Sequence, residues 1–141
     1  MTSFAAIARP AAVPPSERRL ISSGSEFERV AGFSRAVVQD GWVFVSGTAG
    51  FDYAVGSIAE DVEQQTHQAF HNIAAALAEA GAGLADVVRA RVHLTDAADF
   101  AVVGPLLSAY FGDSRPANTI LVSGLIDPRT KVEIEVTARL P

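Results

Sequence analysis

Residues 131–140 alternate strictly between polar and apolar. Val132, Ile134, Val136, Ala138 and Leu140 interleave with Lys131, Glu133, Glu135, Thr137 and Arg139. Side chains of a strand point to opposite faces with a period of two, so the run reads as a half-buried strand. One face belongs to a core, and the other carries Glu133 and Glu135 side by side. A second β-rich segment, residues 119–122, precedes it across an Asp127-Pro128 turn.

The rest of the chain supplies partners for that strand. Residues 18–22 read as a first strand, followed by a loop from Gly24 to Gly32. Two strand-like runs, 35–39 and 42–46, are separated only by Asp40-Gly41. Such a pair signals a hairpin, because a type I′ turn needs positive φ at both positions. Gly47, Gly50 and Gly56 break up the loop that follows. Over residues 60–80, Val62, Thr66, Ala69, Phe70, Ile73, Leu77 and Ala80 recur at spacings of three and four, the stripe of a long helix. Ser57 with Glu60, or Asp61, caps its start, and Gly81 stands where a left-handed C-terminal residue belongs. Residues 87–94 alternate again as a strand. Thr95 or Asp96 opens a second helix over 97–111, in which Pro105 predicts a kink or a late start near Gly104. This order predicts an α+β domain of two layers, a mixed β-sheet backed by two helices on one side.

Composition narrows the setting. The 141 residues suit one domain, placed over 18–141, after an arm over 1–17. Ala and Pro dominate residues 1–15, with a single charge at Arg9. They read as a loose arm, without the basic start and continuous apolar run of a cleavable signal. Hydrophobic residues make up 49% of the chain and charged ones only 19%, which predicts that some surface is buried against other subunits. No apolar run is long enough to span a bilayer, so a cytoplasmic protein without membrane contact is expected. With no cysteine, thiol catalysis and Cys-ligated metals are excluded. A net charge of -5 counts against nucleic-acid binding, which needs a basic face.

Several motifs together resemble the Rid family (YjgF, reactive intermediate deaminase, endoribonuclease L-PSP-like). They are Arg115-Pro116-Ala117 with Thr119, then Val132-Glu133-Ile134-Glu135 with Ala138, and upstream the stretch from Val45 to Gly50 and residues 65–81 with Asn72-Ile73. The resemblance covers roughly residues 18–141. It implies a chorismate-mutase-like sheet backed by two helices, assembled as a homotrimer with a cleft at each subunit interface. It also implies cofactor-free hydrolysis of reactive imines and enamines, small-molecule substrates, to keto acids and ammonia. In that cleft an Arg holds the substrate carboxylate, a Glu positions water, and the backbone of a Ser-Gly loop completes the site.

Carried onto this chain, the resemblance makes Glu133 the catalytic carboxylate, which can orient water or act as a base. Gly47, in Ser46-Gly47, supplies the backbone, since glycine lets a ligand approach the main chain. Phe33 lines the cleft, keeping the family's ring without its hydroxyl. The family's Arg is Asn118 here, which places the chain in a subgroup lacking that residue. Asn118 can donate an amide hydrogen bond but lacks the charged planar fork. That difference costs a carboxylate about ten- to a hundred-fold in affinity. Arg35 and Arg91 are the candidate replacement cations, with Arg89 and Arg115 behind them. Read without the resemblance, Glu133 is a charge on a solvated strand face, Ser46-Gly47 a hairpin end, and each Arg a surface or interface ion-pair partner. Glu135 takes a structural reading, and His93 that of a packed or interface histidine. His67 and His71 are four apart on the long helix, but no third ligand accompanies them, so no metal is predicted. Two alternatives stay open beside deamination: a non-catalytic small-molecule-binding or chaperone-like role, and an endoribonuclease or translation inhibitor.

Overall fold

The computed structural model describes residues 17–141. The arm read over 1–17 lies, apart from Glu17, outside the described residues. In chain order the elements are β1 (Arg19–Ile21), α1 (Glu26–Ala31), β2 (Ala36–Gln39), β3 (Trp42–Ala49), β4 (Phe51–Asp52), β5 (Ser57–Ile58), α2 (Val62–Ala80), β6 (Val87–Leu94), α3 (Phe100–Phe111), β7 (Ala117–Val122) and β8 (Val132–Arg139). Six strands form one sheet in the order β1-β2-β3-β8-β6-β7. Only the β6–β7 pair is parallel, and β4 and β5 form a separate small ribbon.

The predicted two-layer α+β architecture is present. The Asp40-Gly41 turn has φ of 54° and 81°, both positive as a type I′ hairpin requires. Asp61 caps α2 by accepting from the Glu63 N–H at 2.8 Å, and Gly81 ends it at φ 88°. The apolar stripe of α2, including Phe70, Ile73 and Leu77, is fully buried against Val43, Val92 and Ile134 of the sheet. Phe70 also stacks on Tyr110 of α3, with ring centroids 4.2 Å apart.

Three local expectations are corrected. The loop read over Gly24 to Gly32 contains α1, capped by Ser25 and closed by left-handed Gly32. Six residues are too few to display a helical period, so only the caps announced it. The second helix does not start near Gly104: it begins at Phe100, after a 3-10 turn at Ala97–Asp99, and runs through Pro105. The Gly-broken stretch after β3 holds the β4–β5 ribbon rather than loop alone.

Two side-chain amides on α2 then fix the loop before β8 and the junction between β3 and β4. Gln65 is fully buried, and its Nε2 donates to the carbonyls of Ala59 and Arg129 at 2.7 and 2.9 Å. Its Oε1 accepts from the Lys131 N–H at 2.8 Å. Two turns later, on the same helix face, Asn72 donates to the carbonyls of Ala49 and Phe51 at 3.1 and 2.8 Å. Gly50 lets the chain cross this close to α2, since a Cβ there would lie 2.5 Å from the Gln65 carbonyl oxygen. Among the described residues no helix is long and apolar enough to cross a membrane.

Replacing Gln65 by Leu strips three backbone groups of their partner, and unsatisfied buried groups cost about 1–3 kcal/mol each where water cannot replace the bond. We expect Gln65→Leu to destabilise the fold by roughly 2–4 kcal/mol. Urea denaturation of the variant checks this, through a lowered midpoint at unchanged slope.

Candidate active site

The site begins with one extra residue in β3. Val45 opposes Val136 and Thr48 opposes Ile134, so β3 advances three residues where β8 advances two. The surplus makes a β-bulge at Ser46-Gly47. Glu133, one residue further along β8, faces Ala49 across the β3 ladder and His93 across the β6 ladder. Its carboxylate comes so close to the bulge that a Cβ on Gly47 would lie 2.9 Å from both Cδ and Oε2. A side chain at position 47 would therefore displace the Glu133 carboxylate from the place it occupies here. Among the described residues Glu133 has no hydrogen bond or ion pair of its own. Burial pushes its carboxyl above the usual Glu range; the charges of His93 and Arg35 pull it down, and Glu135 adds to the rise.

Arg35 forms the other side of the bulge. Arg35 is 2% exposed. Nη1 donates to the Gly47 carbonyl at 2.8 Å and to Thr48 Oγ1 at 3.1 Å, and Nη2 lies 3.6 Å from Glu28 Oε2. The rings of Tyr53 and Phe33 lie over the guanidinium, with centroids at 4.8 and 5.7 Å. Its Nε is buried without a hydrogen-bond partner among the described residues. Glu28, itself 6% exposed, is held by the backbone N–H and the hydroxyl of Ser23. Burial raises the Glu28 carboxyl most, but hydrogen bonds from Ser23 and Ser22 and the Arg35 charge together bring it below the ordinary range.

These groups open on one cleft of about 340 Å³, lined by Glu133, Gly47, Arg35 and Phe33. Its remaining walls are mostly apolar: Phe27 and Val30 from α1, Phe51 and Tyr53 from the ribbon, and Leu125 and Ile126 from the loop before β8. Ile126 is 96% exposed at the rim. Tyr53 accepts from the Ala49 N–H at 3.4 Å, and burial pushes its hydroxyl above the usual Tyr range. At the mouth, Asp127 is paired with Arg129 at 2.8 Å, and the hydrogen bonds from Arg129 bring its carboxyl down to about 2. The Arg129 guanidinium sits 5.3 Å from the Phe51 ring centroid.

Four of the six residues singled out from the sequence thus meet within one chain. The other two lie elsewhere. Arg91 is on the open sheet face, 3.0 Å from Glu135, and borders a separate hollow with Phe44. Asn118 pairs in register with Ala90, which opposes Val136. It therefore shares the helix-side face of the sheet, opposite to Glu133, and borders a hollow beside α3 with Leu107 and Phe111. His67 is engaged with Tyr110 at 2.5 Å, and His93 with Ser123 at 3.2 Å. Sequence reasoning did not pick out Glu28, Phe27, Phe51, Tyr53 or Ile126. Phe51 and Tyr53, two apart between Gly50 and Gly56, were the available signal.

The sequence and the fold both match a known family. Residues 23–140 match the Endoribonuclease L-PSP family. A 2-iminobutanoate/2-iminopropanoate deaminase of Capra hircus is 34% identical, over 86% of this chain and 89% of that one. The chloroplastic Reactive Intermediate Deaminase A of Arabidopsis thaliana is 30% identical, over 88% of this chain and 67% of its own length. Among solved structures, a member of the YjgF/YER057c/UK114 family from Mycobacterium tuberculosis superposes with a TM-score of 0.80. It is 41% identical and covers 88% of this chain and all of that one.

Two outcomes follow from the geometry around Glu133. Its pKa is raised on folding, so its contribution to stability is intact at low pH and is lost as pH rises through the folded-state value. Glu133→Gln is therefore expected to be more stable than the wild type at pH 7, with the gap closing as pH falls through the ordinary Glu range. Thermal denaturation of both proteins across that range reads it. Gly47→Ala forces the carboxylate out of place, and a shifted Glu133 side-chain resonance in an otherwise native NMR spectrum is the expected sign.

Proposed function

The chain belongs to the endoribonuclease L-PSP family, also known as YjgF or Rid, and from that premise we propose that it hydrolyses small imines or enamines, releasing ammonia. The observation that carries this reading is Glu133: a half-buried carboxylate without a hydrogen-bond or ion-pair partner among the described residues, held against the Gly47 main chain in a cleft sized for a small ligand. A carboxylate whose pKa is raised by burial is a better proton acceptor than an exposed one. The goat and Arabidopsis relatives, both deaminases by name, support the same chemistry.

Glu133 takes a proton from water as the oxygen attacks the imine carbon, giving a neutral carbinolamine. The protonated Glu133 returns that proton to nitrogen, the C–N bond breaks, and the hydroxyl proton leaves through Glu133 as the carbonyl forms. An iminium and one water become a carbonyl compound and ammonium, and Glu133 ends as it began. Phe33 and Tyr53 bound the substrate, and the Gly47 main chain lies beside it.

Asn118 lies on the opposite face from Glu133, so it can border this cleft only from a second copy. A homotrimer with clefts between subunits is the assembly we propose. In support, β7 is a sheet edge that exposes Ile120 and Val122.

The test is ammonia release, or semicarbazide trapping, from imines generated in situ. Wild type should accelerate hydrolysis and Glu133→Gln should lose about 100-fold or more, the range supplied by a positioned acid–base group. No acceleration by the wild type, together with tight binding of the same compounds, would instead indicate a non-catalytic binder.

A further inference from the structure

The charges around the cleft are not arranged for an anionic substrate. Each nearby guanidinium already has its own carboxylate: Arg35 has Glu28 at 3.6 Å, and Arg129 has Asp127 at 2.8 Å. What is left over is Glu133, which has no such partner among the described residues. Nη1 of Arg35 is committed to Gly47 and Thr48, and Nη2 already faces the Glu28 carboxylate, so the planar fork of two parallel donors that binds a carboxylate well is not open to an incoming one. Asn118, wherever a second copy places it, adds an amide and no charge. The walls point the same way, being aromatic and aliphatic on three sides, from Phe27 and Phe33 to Phe51 and Leu125. A carboxylate brought in here would lose its hydration without a free cation to replace it.

We infer that the cleft takes amine-derived compounds without a carboxylate, neutral or cationic at nitrogen and carrying an aromatic or branched aliphatic group, rather than 2-imino acids. The reaction chemistry in this inference rests on the deamination reading, whereas the binding preference does not. The corresponding substrates are imines of apolar aldehydes and ketones, which an amine-oxidising reaction would supply. The nitrogen faces Glu133, where an iminium charge is attracted and the attacking water is held. The hydrocarbon part lies among the aromatic rings, where its burial away from water favours binding.

Three probes of one shape separate the possibilities by titration calorimetry of the full chain: 3-phenylpropylamine, 3-phenylpropanamide and 3-phenylpropanoate. The amine and the amide are expected to bind about tenfold or more tightly than the carboxylate. The amine is expected to bind more tightly than the amide in the wild type, and Glu133→Gln should remove that difference. Equal or tighter binding of the carboxylate overturns the inference, as does binding of none of the three. An amine advantage that survives Glu133→Gln overturns the role given to that carboxylate.

Turnover is read separately, as kcat/KM for the imine of phenylacetaldehyde against a 2-imino acid. If the binding order holds and neither imine is hydrolysed faster than in buffer, the deamination reading fails and the ligand class stands. If the 2-imino acid is the better substrate, deamination stands and the ligand class is overturned.

Discussion

One surplus residue between Val45 and Thr48 governs how the two central strands relate to the site. Without it, β3 and β8 would run in unbroken register, and the segment after Val45 would stay flat against its neighbour. The bulge bends β3, turns the Gly47 carbonyl toward Arg35, and leaves an opening just wide enough for the Glu133 carboxylate. Bulges are features that re-aim side chains beside functional sites. Here a single one orients a cation on one side of the strand and admits an acid on the other.

Around that bulge the molecule is held by polar groups rather than by its hydrophobic core. The core supplies most of the free energy of folding, but it does not specify where the cleft loops lie. Gln65 and Asn72 do that from inside α2: Gln65 bonds to main-chain groups of the loop before β8, and Asn72 to those where β3 passes into β4. The functional segments are thereby attached to a rigid helix, although much of the cleft wall comes from loops and a two-residue ribbon. Preorganisation of this kind matters for a site whose chemistry depends on the placement of one carboxylate and one water.

Much of the fold was legible because its signals are local. The 131–140 alternation, the Asp40-Gly41 turn and the stripe of α2 each follow from a period or a turn chemistry that few residues can satisfy. Helix α1 was not legible, since six residues show no period and only Ser25 and Gly32 marked its ends. Helix α3 tolerates Pro105, because tertiary packing of Val103, Leu107 and Phe111 outweighs a local propensity. Glu133, Gly47, Phe33 and Arg35 were named from resemblance, not from pattern, and the physical reason for Gly47 emerged only with the distance to Glu133. Glu28 escaped notice because a buried acid on a short helix is defined by its partners, and Ser23 and Arg35 come to it only through the fold. The face occupied by Asn118 was likewise hidden, because it depends on the parallel register of β7 with β6.

The Arg35–Glu28 pair has a consequence for how the cleft responds to its surroundings. Mobile ions screen charges they can approach, over a distance of about 8 Å at physiological ionic strength. Arg129 and Asp127 sit at the mouth and are open to such screening. Arg35 and Glu28, at 2% and 6% exposure, are not. Raising the salt concentration will soften the electrostatics of the rim and leave those of the floor intact, so ionic strength alters how a charged molecule approaches this cleft more than how it rests there.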